Sequence, residues 1–212
     1  MLKEFCEKNK EAVLNIIRDL CRIPAPSHME RRRAEYCRDW LIANGAEGVY
    51  LDEVDNVIFP LGCEGSNEIT MVAAHTDTVF PDTESYPEFH EDDVNIYCPG
   101  VGDDTTSVAI LLLTAKYFID NKITPKGGIL FVCNVCEEGL GDLKGVKQLM
   151  KDFAGRPMPS QTMVRGIQET GGMGRMISKM GRMKASKPRY QPMNQPRGMP
   201  MTIARPKPHR AI

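Results

Sequence analysis

Three short polar clusters stand out for the chemistry they could do: His75-Thr76-Asp77, Asp103-Asp104 and Glu137-Glu138. An imidazole with several carboxylates is a donor set that suits zinc, with cobalt or manganese as substitutes. The spacing of His75 and Asp77 lets the carboxylate hydrogen-bond the ring nitrogen that does not hold metal. Adjacent Glu137 and Glu138 allow one carboxylate to ligate while its neighbour handles protons. Each cluster alone has an ordinary explanation: a satisfied polar His, a helix-capping Asp pair, a solvated Glu-Glu face. Their joint meaning depends on whether one fold brings them together.

The elements that must do so are legible in the apolar spacing. Phe5, Val13, Leu14, Ile16, Ile17 and Leu20 predict a helix over 3–22, ended by Ile23-Pro24. Ser27 with Glu30 three residues on reads as a capping box, opening a second helix that runs to about Asn44 before Gly45. Segments 48–54 and 56–61 predict two strands about Asp55-Asn56. The run 69–74 predicts a buried strand with His75 at its C-terminal end. A helix follows over 105–120, then a buried strand over 129–133 that stops just before Glu137-Glu138, and a last helix over 143–153. This alternation predicts an α/β fold with a largely parallel sheet. In such sheets ligands bind beyond the carboxyl ends of strands, where two of the three clusters fall. The loop 80–99 is a candidate wall for the pocket.

Composition divides the chain at about residue 156. Residues 1–156 hold 16 Lys/Arg and 27 Asp/Glu, whereas 157–212 hold 11 Lys/Arg and one acid, Glu169. The second segment carries 9 of the 13 Met and 8 of the 15 Pro, and has no Leu, Phe, Trp or Cys. So few branched and aromatic residues cannot offset an ordering cost of about 1–2 kcal/mol per residue, so 157–212 reads as a disordered basic tail. The N-terminus is charged where a signal peptide needs an apolar stretch, and the longest apolar run, 108–113, is far too short to span a bilayer. Seven scattered Cys (6, 21, 37, 63, 98, 133 and 136) then read as reduced thiols in a cytoplasmic protein, with no membrane partner. Cys133-x-x-Cys136 lacks a second pair and reads as structural. His28 and His90 read as surface residues.

Taken in order, Val72-Ala73-Ala74-His75-Thr76-Asp77-Thr78-Val79, Gly100-Val101-Gly102-Asp103-Asp104-Thr105-Thr106-Ser107 and Cys136-Glu137-Glu138-Gly139-Leu140-Gly141 resemble the M20 family of zinc metallopeptidases and related amino-acid deacylases. Leu20-Cys21-Arg22-Ile23-Pro24-Ala25-Pro26-Ser27 and Trp40-Leu41-Ile42-Ala43-Asn44-Gly45 look like the family's opening, so that the resemblance covers about 1–156. It implies a zinc-peptidase-like mixed sheet flanked by helices, and a two-zinc hydrolase. His75 would hold one zinc, Glu138 the other, and Asp103 would bridge both. Asp77 would orient His75, and Glu137 would be the general base. Family members supply a further acidic ligand and a His downstream, with a lid or dimerisation domain between them. Neither Glu169 nor His209 has the matching surroundings, so the domain reads as incomplete. The abrupt change after Arg156 reads as a shifted reading frame or another truncation of the coding sequence.

The function expected is metal-dependent hydrolysis of a peptide bond by an exopeptidase, with an N-acyl amino-acid deacylase as the alternative. The substrates would be a peptide or an N-acyl amino acid, and a homodimer is expected only where the lid domain is present. As it stands the chain is expected to be an inactive fragment. A nucleic-acid-binding reading of the basic tail is weaker. Its charges show no helical stripe and Tyr190 is its only aromatic, which predicts salt-sensitive adhesion to polyanions rather than specific recognition.

Overall fold

A computed structural model of the chain describes residues 2–80 and 89–153. The boundary at residue 156, the basic tail with Glu169 and His209, and part of the loop 80–99 lie outside the described residues.

The helix expected over 3–22 is two helices, α1 (Leu2–Lys8) and α2 (Lys10–Cys21). Asn9 divides them: its backbone N–H and its Nδ2 both donate to Phe5 O, at 3.0 and 2.8 Å. An Asn side chain competes in this way with the helical ladder. The next helix, α3, spans Arg31–Ala43. No capping box opens it. Ser27 and Glu30 point instead towards distant parts of the chain.

Strands β1 (Tyr50–Leu51) and β2 (Val57–Leu61) form a tight antiparallel pair. Then come β3 (Ile69–His75) and a small hairpin not foreseen from the sequence, β4 (His90–Glu91) and β5 (Ile96–Tyr97). Arg18 holds that hairpin to α2: its Nε donates to Glu91 Oε2 at 2.9 Å and its Nη2 to Glu91 Oε1 at 2.6 Å. A wide turn, Val101–Thr105, leads into α4 (Thr106–Asp120), followed by β6 (Gly128–Asn134) and α5 (Lys144–Asp152).

The main sheet has the order β1-β2-β6-β3. It is mixed, as expected, but among the described strands only β3 and β6 pair in parallel; β2 runs antiparallel to both of its neighbours. Central β6 is buried along almost its whole length, which is why it reads as a continuous apolar run rather than an alternation. On one face Leu130 and Val132 join Ile58, Ile69, Ala73, Leu149 of α5 and Phe153. Phe131 alternates to the other face, where it meets Phe59 and Phe118 of α4 at centroid separations of 5.8 Å. Ala74 and His75 pair with Cys133 and Asn134, so both strands end at the same level of the sheet.

Asn56, fully buried, ties this end of the sheet together. Its Nδ2 donates to Gly145 O at 3.0 Å, and its Oδ1 accepts from Val135 N at 3.0 Å. A Cβ on Gly145 would collide with Val135 O and Asn56 Oδ1, both rigidly held. Gly145→Ala is therefore expected to lower stability by about 1–3 kcal/mol, the usual effect of forcing a methyl group into a filled interior. Urea denaturation measures it, and an unchanged midpoint would show that the α5 entrance can shift freely.

Candidate metal centre

His75 is the last residue of β3 and is only 6% exposed. Its backbone N–H donates to Asp104 Oδ2 at 3.3 Å. One face of the ring is fixed by Asp77, whose carbonyl oxygen lies 3.2 Å and whose Oδ1 lies 3.4 Å from Nδ1. That leaves Nε2 pointing outward, 2.9 Å from Asp103 Oδ1 and 3.9 Å from Glu137 Oε2.

Asp77 has no exposed surface and acts as a hub. Its Oδ1 accepts from Glu137 N at 2.9 Å, and its Oδ2 accepts from Glu138 N at 3.0 Å and from Ser27 Oγ at 2.8 Å. One carboxylate thereby joins the end of β3, the loop after β6 and the segment before α3. Burial opposes its ionisation, but the hydrogen bonds from His75, Glu137 N, Ser27 and Glu138 N prevail and hold its pKa below the ordinary value.

The Asp pair divides its labour. Asp103 is half exposed and faces His75 Nε2, whereas Asp104 is 3% exposed and receives the His75 N–H. Burial outweighs the Ser107 hydrogen bond and lifts the Asp104 carboxyl to about 6. Gly100 opens this turn at φ 71°, and its missing Cβ leaves room for the Thr78 methyl group. A side chain there would be strained, would collide with Thr78 and would crowd Asp103 O.

Glu30 and Arg33 complete the surroundings, and sequence reasoning missed both roles. Glu30 Oε1 accepts from His28 N and from Cys136 N, each at 3.0 Å, so it steadies the residue just before Glu137. The buried Arg33 guanidinium donates to Ile23 O, Thr76 O and Thr105 Oγ1. It binds α3 to the residues following His75 and Asp104. Cys133 and Cys136 are buried free thiols, in line with a structural role, and exposed His90 stacks on Tyr97.

The fold thus brings the three polar clusters together. One ligand atom from each of His75, Asp103 and Glu138 lies within 4.8 Å of the others, a group that could hold a metal ion. The donor chemistry fits such an ion. Burial, and then the charge of Asp103, raises the Glu138 pKa, marking a surplus of carboxylate charge that a cation would relieve. For His75, burial alone would lower the pKa, but the Asp77 hydrogen bond and the charges of Asp104, Asp77 and Glu137 push it up to about 9.

At neutral pH the metal-free ring is therefore protonated, and a cation must displace that proton. Zinc affinity is expected to rise with pH, by about tenfold per unit from pH 7 and levelling near pH 9. Competition against a zinc buffer across that range checks this. An affinity indifferent to pH would remove His75 from the ligand set.

The model of peptidase family M20/M25/M40 matches residues 71–192, which include His75, Asp77, Asp103, Glu137 and Glu138 and extend past residue 156. Among solved structures, the fold is similar to that of aminopeptidase PepT from Bacillus cereus, at TM-score 0.52 and 24% identity, over 66% of this chain and 39% of that one. It is similar to human carnosine dipeptidase 1 at TM-score 0.55 and 14% identity, over 71% of this chain and 36% of that one. It is also similar to Bacillus subtilis YXEP, a dinuclear metal-binding peptidase of the M20 family, at TM-score 0.52 and 20% identity, over 70% and 39%. The chain thus spans less than half the length of each. No curated protein matches it in sequence. Among the described residues no helix is long and apolar enough to cross a membrane.

Proposed function

This chain belongs to peptidase family M20/M25/M40, whose model covers more than half of its residues, and from that premise we propose that it carries the first part of a two-zinc site for cleaving a peptide bond at the end of a short peptide. In this reading His75 would hold one zinc and Glu138 the other, with Asp103 serving both. Bound there, the cations would polarise the substrate carbonyl and lower the pKa of water towards about 7. Asp77 keeps His75 in the tautomer and orientation that present Nε2. Glu137 takes a proton from the attacking water and returns it to the departing amine.

The observation that carries the reading is the convergence of His75, Asp103 and Glu138 within 4.8 Å, with Glu137 Oε2 3.9 Å from His75 Nε2 yet outside that group. A carboxylate beside a ligand set, rather than in it, is free to move a proton. Similar folds in an aminopeptidase and a dipeptidase support an exopeptidase over an N-acyl amino-acid deacylase.

Two zinc ions would find two described ligands each, counting Asp103 for both, where a catalytic zinc takes three. On the described residues alone the site is therefore expected to hydrolyse little, needing an acid and a His beyond them. The test combines zinc analysis with a hydrolysis screen of dipeptides, tripeptides and N-acyl amino acids. It is run on this chain and on one extended by the remainder of a family catalytic domain. Zinc binding by both, with peptide cleavage by the extended chain only, is the expected result. Faster cleavage of N-acyl amino acids would replace the exopeptidase by the deacylase. Failure of His75→Ala to reduce zinc content would end the metal-site reading.

A further inference from the structure

Apart from the metal centre, two pairs of cysteines lie close together among the described residues. Cys37, in α3, and Cys133, in β6, are neighbours, but both are at most 1% exposed. Cys21 and Cys98 also lie against one another, and this pair is placed differently. Cys21 ends α2 and is 2% exposed, whereas Cys98 is part-exposed and immediately precedes Pro99-Gly100, the entry to the turn that carries Asp103. The Cys98 thiol donates to Cys21 O at 3.3 Å, and Val101 N donates to Cys98 O at 3.1 Å. Cys98 therefore stands between a packed helix end and the ligand-bearing segment.

We propose that Cys21 and Cys98 form an oxidisable dithiol site, with Cys98 the residue that a hydroperoxide oxidises, Cys21 the residue that resolves it, and the disulfide restraining the Asp103 segment. The placement supports each part. An accessible thiol is the one that meets oxidant, and a neighbouring thiol turns the first product into a disulfide before further oxidation. The Cys21 thiol can donate to the Cys98 thiolate, and the Arg33 charge lies close by; both lower the Cys98 pKa, while burial opposes them. Cys21, the donor and the more buried, is raised.

The chemistry balances with one hydroperoxide. The Cys98 thiolate attacks the outer peroxide oxygen, the O–O bond breaks, and the leaving oxygen takes up a proton as water or alcohol. Cys98 is then a sulfenic acid. The Cys21 sulfur attacks the Cys98 sulfur, the S–S bond forms, and the S–O bond breaks. Hydroxide leaves with the Cys21 proton as water. Two thiols are oxidised by two electrons and the peroxide is reduced by two.

Closing the bond sets the two sulfurs about 2.05 Å apart. An S–H···O contact gives way to a covalent tie between α2 and residue 98, five positions before Asp103. Amide exchange across 99–105 should slow at least tenfold in the disulfide form. This result does not depend on hydrolysis or on bound metal.

The full chain, metal-free, is treated with hydrogen peroxide and mapped under non-reducing conditions, followed by hydrogen exchange before and after dithiothreitol. The expected map joins the Cys21 and Cys98 peptides with the loss of two hydrogens, leaves Cys37 and Cys133 as thiols, and shows the slowed exchange reversed by reductant. Cys98→Ser should abolish the link. The proposal fails if peroxide carries Cys98 to higher oxides with no link to Cys21. It fails equally if the Cys37–Cys133 pair oxidises first, or if the link forms and exchange across 99–105 is unchanged.

Discussion

Replacing Asp77 by Ala should remove up to about 2–6 kcal/mol of stability, because the part-buried backbone N–H groups of Glu137 and Glu138 would lose their acceptor, at up to about 1–3 kcal/mol for each orphan. Domains of this kind have about 5–15 kcal/mol in all, so the variant should unfold at much lower urea concentration and stand close to collapse on warming. Asp77→Asn separates folding from metal binding. It preserves shape and one acceptor oxygen, so stability should fall less. The neutral amide no longer favours the His75 orientation that presents Nε2, and zinc affinity should drop about 10- to 100-fold, the usual effect of losing a group that supports a ligating His. Urea curves and zinc competition on the same two variants read both effects. An Asp77→Ala chain as stable as the parent would show that the Glu137-Glu138 loop has another anchor.

The second large effect distinguishes the two glutamates. Glu138→Gln removes a ligand, so zinc occupancy should fall, and turnover with it. Glu137→Gln leaves the His75–Asp103–Glu138 group intact, and zinc occupancy should match the parent. In the extended chain, turnover by Glu137→Gln should nevertheless fall by about 10²–10⁴, the contribution of a positioned general base. The charge on Glu138 balances a cation, whereas Glu137 accepts and returns a proton in every cycle. In the 212-residue chain both substitutions should be nearly silent for turnover. Loss of zinc from Glu137→Gln with retention by Glu138→Gln would reverse the two roles.

Much of this arrangement is legible in the residues, and what is not has a physical reason. The run 129–133 announces a buried strand because both faces of β6 are covered, and His75 falls at the end of β3 as its position after 69–74 requires. Strand direction is not written in an apolar run, so the antiparallel placing of β2 between β1 and β6 could not be read there. The Ser27–Glu30 pair shows the same limit more sharply. Its spacing is that of a capping box, yet Ser27 serves Asp77 and Glu30 serves Cys136, 50 and 106 residues away. A local motif reports local competition; the partners that win it are brought by the fold. Asn56 and Arg33 carry no motif at all. An Asn beside a turn and an Arg in a helix are ordinary until their backbone acceptors are known.

The position of β3 bears on how the chain is made. β3 begins at Ile69, and its parallel partner β6 begins at Gly128, 59 residues later. At about 5–20 residues per second, a ribosome needs about 3–12 s to add them. Throughout that interval the apolar strand 69–75 is synthesised but has no ladder to join, since its described neighbour in the sheet is β6. The antiparallel pair β1–β2 can form early, but it cannot receive β3, because β6 must lie between them. The nascent chain thus carries an unpaired, aggregation-prone edge for far longer than a hairpin takes to close, about 1–10 μs. Chaperone demand during synthesis should track the delay in translating 76–134, and slow codons placed there should lower the soluble yield while leaving the finished protein's stability untouched.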